Sequence, residues 1–251
     1  HRRRRRREGR CQVKPEFLKV RSLPTPKWCL FAVALFFVIG LVCTFVWGLG
    51  PDRDVTEATI GLPLMIASIV FGVWMVGVEF GQKTLRQVLT ADPRRGRLVI
   101  SKLLTIIIVV TLVTILFHLI AAPLFSIGAS QHDQTLSMEY LARTGASSLV
   151  TNLLYALLGA SFALLAASMA GGMTIALAFF FVFAGALKAI PKAGDFMLSS
   201  VNVEIFQKIV GTELAGTDVE VHLVQAILVS AVWVAAFVGL SSYRFLRNDI
   251  D

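Results

Sequence analysis

The chain has 251 residues, 56% of them hydrophobic and 16% charged, with a mean hydropathy of +0.73 and a formal net charge of +8. This is more apolar and less charged than a soluble domain, which excludes one aqueous globule and points to a polytopic membrane chain. The positive balance does not call for nucleic acid, because 19 of the 24 Lys and Arg residues fall in three blocks, 2–27, 83–102 and 244–247, as the positive-inside pattern of cytoplasmic segments requires.

In chain order, His1–Lys27 reads as a cytoplasmic basic arm. Arg2–Arg7 lies near anionic lipid by charge alone, and Glu16-Phe17-Leu18-Lys19-Val20-Arg21 mixes apolar and basic faces as a short interfacial helix does. Pro24 and Pro26 end that helix. Residues 28–251 then form the membrane domain, predicted to cross six times. The first span is Trp28–Leu49, too long for a signal-peptide core, with Trp28 and Trp47 spaced for opposite aromatic belts. The second lies near Ile60–Val78 and the third near Leu98–Leu119. Residues 145–187 contain no Asp, Glu, Lys, Arg or His, enough for two helices, with a hinge expected at Gly171-Gly172. The sixth span is near His222–Tyr243. An even number puts both termini in the cytoplasm, in agreement with the charges.

Between the fifth and sixth spans, Pro191–Val221 carries Phe196, Met197, Phe206 and other apolar residues at mixed helical spacing. It reads either as a re-entrant helical hairpin dipping into the outer leaflet or as an amphipathic helix lying flat upon it.

Catalytic chemistry is sparsely represented. Outside that hairpin, no Asp or Glu is expected in the middle of a span, so paired carboxylates for acid–base work are missing. Cys11, Cys29 and Cys43 have no metal-ligand spacing, and His118 is expected at the outer end of the third span as a hydrogen-bonded residue; no metal site is predicted. Gly77–Thr84 is not a phosphate loop, since Gln82 separates Gly81 from Lys83. The chain is therefore not expected to bind or hydrolyse ATP. Secondary transport and intramembrane catalysis remain as alternatives to a pathway driven from outside the spans. Gly77-x-x-x-Gly81 and Gly159-x-x-x-Ala163 are candidates for close helix packing.

The segment Val78–Lys102 separates two uncharged runs, Ile60–Gly77 and Leu103–Ser130. Within it Glu79, Lys83 and Arg86 share one helical face, and Leu85, Val88 and Leu89 another; Pro93 breaks the helix before Arg94, Arg95 and Arg97. Such a segment either is a solvated basic loop that fixes topology or presses one face into a cytosolic partner as a coupling helix.

Read together, E-F-G-Q-K-T-L-R-Q-V-L-T, R-R-G-R-L and the following lysine resemble the cytoplasmic loop of permease subunits in type-2 ABC exporters, with Glu79, Thr84, Arg86, Leu89, Pro93, Arg97 and Lys102 at matching positions. The arm E-F-L-K-V-R-S and the closing Y-R-F-L-R-N-D-I resemble that family's ends. The resemblance covers about residues 15–251, and the six arginines at the start depart from it. It implies a plasma-membrane permease that forms the substrate pathway, pairs with a second permease copy and binds two ATP-binding subunits. Those partners hold ATP and Mg, and this chain binds no cofactor. The contact would involve the arm (Glu16, Phe17, Lys19, Arg21) and the loop (Glu79, Lys83, Thr84, Arg86, Leu89, Arg97), with the re-entrant hairpin before the last span.

Overall fold

The computed structural model describes residues 24–47, 61–81, 95–131, 138–183 and 223–247. All the regular structure among them is helical: α1 Pro24–Trp47, α2 Leu62–Gly81, α3 Arg95–Ser130, α4 Met138–Ala166, α5 Met169–Ala178 with a π-helical continuation Phe179–Phe183, and α6 Leu223–Arg247. This suits a bilayer, in which a helix satisfies its own backbone and an irregular segment does not. Five of the helices (α1, α2, α3, α4 and α6) are long and apolar enough to cross a membrane. Hence the chain is a polytopic α-helical membrane protein. The arm 1–23, residues 82–94 and the segment 184–222 with Phe196, Met197 and Phe206 lie outside the described residues.

Side-chain contacts give the helix directions. Lys102, near the start of α3, meets Glu79, near the end of α2, so these two helices are antiparallel. Asn152 of α4 donates to Thr114 of α3 while Gly145 lies beside His118, which makes α4 antiparallel to α3 and parallel to α2. Gly172 against Ala163 turns α5 back along α4, and Phe245 of α6 reaches Phe80 of α2. The end of α2, the start of α3, the α4–α5 junction and the end of α6 therefore share one end of the bundle. Helix α1 runs parallel to α3 but is offset towards the other end. Its Pro26 and Cys29 face Phe71, Val109 and Val110, and Phe37 meets Phe117 and Phe125 edge-on.

The core is centred on α2 and α4, and its closeness comes from missing side chains. A Cβ on Gly72 would stand 2.0 Å from the Ala156 carbonyl oxygen, and one on Gly159 would stand 2.5 Å from that of Ile69. The two backbones touch at this crossing, the small-residue packing that drives helix association in lipid. Gly77 and Gly172 make the same kind of approach to Met169 and Ala163, with a Cβ 2.8 and 2.6 Å from their Cα atoms. Gly159 and Ala163 thus both sit at close packing positions, as does Gly77. Gly81 does not, since its added Cβ would only reach ordinary contact at 3.9 Å.

The bend between α4 and α5 differs from the expected hinge at Gly171-Gly172. The chain turns at Ala167, whose φ of 47° is left-handed, and Ser168 caps α5 by accepting from the Gly171 amide at 3.3 Å. Gly172 already lies inside α5, where close packing on Ala163 requires it. Helix α3 also outruns its expected end at Leu119, continuing through Pro123 to Ser130; the apolar run persists and the bundle absorbs the lost backbone bond. An aromatic cluster then locks α5 and α6 onto α4: Phe162 lies 5.3 Å from Phe179 and 5.1 Å from Phe237, and Trp233 stacks on Phe237 at 5.5 Å.

Candidate functional site

The end of the bundle where α2 and α3 meet contains a buried ion pair between these two helices. Lys102 Nζ stands 3.0 Å from Glu79 Oε1, and the two side chains are 4% and 3% exposed. The same ammonium donates to the Met75 carbonyl oxygen at 2.8 Å. Met75 and Glu79 are four residues apart on α2, on one face. Lys102 therefore bridges a full turn at the end of α2, where a cation also meets the negative end of the helix dipole. Along α3 it lies seven residues, about 10 Å, past Arg95.

Glu79, a partner-contact residue on the sequence reading, instead turns inward and is buried, because α3 supplies a cation at its own depth. The exposed face expected for Glu79, Lys83 and Arg86 thus does not begin at Glu79. Arg97 is half-buried in the first turn of α3. Lys83, Thr84, Arg86 and Leu89 lie outside the described residues, as do Glu16, Phe17, Lys19 and Arg21. The structure brings none of these together beyond framing 82–94 between Gly81 and Arg95, the two helix ends nearest the pair.

Other polar groups in the bundle are small and locally bonded. Thr105 donates to the Ser101 carbonyl and Ser68 to that of Leu64, each at 2.8 Å. His118 is half-buried, with Nδ1 2.9 Å from the Thr114 carbonyl and its ring edge against Gly145, well inside α3. Among the described residues, no group of three or more His, Cys, Asp or Glu converges as a metal site. A shallow groove between α1, α2 and α3 encloses about 60 Å³ and is lined by Leu30, Val33, Leu64, Phe71 and Val113 among others. It offers hydrocarbon contact and little to orient a polar ligand.

The arrangement is therefore structural in character. A charge pair closed off from water joins two helices whose connecting segment is rich in basic residues. Sequence reasoning had Lys102 only as the last position of the loop pattern. A lysine seven residues into an apolar helix needs an acid at the same depth, and Glu79 stands at that depth near the end of the preceding antiparallel helix, whereas Asp92, nearer in sequence, precedes the start of α3. No protein-family model matches this chain, and no curated protein matches it in sequence.

Proposed function

We propose that the chain is the transmembrane permease subunit of an ATP-driven ABC exporter in the plasma membrane. It crosses six times with both termini in the cytoplasm, α5 and its continuation supplying the fifth crossing beside the five longer helices. It pairs with a second permease copy and binds two ATP-hydrolysing subunits through the arm and the 82–94 segment. Dimerisation follows from size, since one six-helix bundle with closely packed small-residue contacts leaves no path for a bulky cargo.

The observation that carries this reading is the union of α2 and α3 by a buried ion pair directly behind a basic connecting segment. Force applied to 82–94 reaches both helices at once. The same pair also favours a secondary carrier, because ionisable groups inside a membrane mark ion pathways. Its position in the last turn of α2, away from the midplane where carriers bind their ions, weighs against that alternative. An intramembrane enzyme has less support, for the described polar groups form no nucleophile–base pair.

Two outcomes are expected. Reporter tags at residue 10, after Ala91 and after Asp251 report cytoplasm, and tags near Arg53, Gln134 and Thr217 report the outside. A cytoplasmic Thr217 contradicts the six-span arrangement. Secondly, the chain co-purifies with an ABC ATP-binding subunit, and Arg86→Ala weakens that association about 10–100-fold, as loss of a charge-assisted contact does. Arg94→Ala and Arg95→Ala have smaller effects, because those side chains serve topology and lipid head groups. Equal retention of the subunit by Arg86→Ala and wild type contradicts the assigned contact.

A further inference from the structure

We infer that the Glu79–Lys102 pair is a strap that fixes the spacing of the two ends of the 82–94 segment, so that α2 and α3 move as one body when that segment is loaded. The mechanical role in transport rests on the permease reading; the strap itself does not. Glu79 lies two residues before the end of α2, and Lys102 seven after the start of α3. At 3.0 Å, with side chains only 3–4% exposed, they are close enough and dry enough for the attraction to act at low dielectric.

Three features make this a strap rather than general packing. Lys102 holds two points on α2, the Glu79 carboxylate and the Met75 carbonyl, which fixes orientation as well as distance. The α2 and α3 ends extend past the offset start of α1, so among the described residues α1 does not brace them there. Glycines bring α2 within backbone contact of α4 and of the start of α5, whereas α3 reaches the end of α2 through the Lys102 ammonium. Separating the pair exposes two charges, which is costly while the site is dry. The strap therefore favours a closed state, with open arrangements disfavoured.

The test places spin labels at Gly81→Cys and Ile100→Cys, both exposed positions, in the full chain with its three native cysteines replaced by alanine. The chain is reconstituted in phosphatidylethanolamine and phosphatidylglycerol liposomes, and the label-to-label distance distribution is measured by pulsed EPR. With the native pair, one narrow distance is expected. Glu79→Gln, which keeps the shape and removes the charge, broadens or splits it. The reversal Glu79→Lys with Lys102→Glu narrows it again. A Glu79→Gln distribution as narrow as the native one overturns the proposal, and so does a reversed pair as broad as Glu79→Gln. No ATPase partner is needed for these measurements, so they decide the strap even if the permease reading fails. With the partner present, Glu79→Gln is expected to keep stimulated ATP hydrolysis while transport per ATP falls about tenfold, the effect of losing one charged hydrogen bond. A parallel loss of both activities contradicts the mechanical role.

Discussion

Lys102→Met is expected to destabilise the protein by about 3–5 kcal/mol, the range for removing one partner of a buried ion pair. The methionine fills much of the same volume, so the loss is electrostatic and not a cavity. The Glu79 carboxylate keeps its buried position without the ammonium 3.0 Å away, and the Met75 carbonyl loses its side-chain donor. Replacing both charges, Glu79→Leu with Lys102→Met, is expected to cost less than Lys102→Met alone, because no buried charge is then left behind. Unfolding in SDS-titrated mixed micelles reads both variants. A double variant as unstable as the sum of its singles contradicts a direct coupling between the two side chains.

Gly72→Ala is the second large effect, expected at about 3 kcal/mol, as for other overpacked helix crossings. The added methyl would stand 2.0 Å from the Ala156 carbonyl oxygen, and both sides of the clash are backbone. No rotamer change relieves it, so α2 and α4 must separate along the face where Gly159 also approaches Ile69. Gly239→Ala is the control. A Cβ there meets nothing within 4 Å, and alanine in a helix is favoured over glycine by roughly 0.5–1 kcal/mol. The same micelle titration should rank Gly239→Ala at or above the native protein and Gly72→Ala far below. Equal stabilities would mean that the α2–α4 contact is not close.

What could be read from the sequence follows from what each signal depends on. Long uncharged runs need only composition, so the membrane class and the positions of α1 to α4 and α6 were legible. Gly77, Gly159 and Ala163 were legible as packing residues because their spacing repeats every four residues. Gly72 stands four residues after Ser68, a weaker small-residue spacing, and its role comes from where α4 crosses α2, which periodicity does not encode. The bend was misplaced for a related reason: Gly171-Gly172 looks like a breaker, but the break occurs at Ala167, and Ser168 caps the next helix. Gly172 serves packing instead. Glu79 was legible as an important position and not as a buried one. Its local face groups it with Lys83 and Arg86, whereas its partner Lys102 is 23 residues away and becomes adjacent only once α2 and α3 lie antiparallel.

Coupling to ATP is the central claim, and reconstituted membranes test it most directly. Liposomes containing this chain and its co-purified ATP-binding subunit are compared with liposomes in which that subunit is catalytically dead, each with and without a proton gradient. The cargo is taken from the compounds that stimulate hydrolysis. The account predicts transport that requires the active subunit and is unchanged when the gradient is collapsed. Transport that persists with the dead subunit and stops with the gradient would contradict it and identify a secondary carrier.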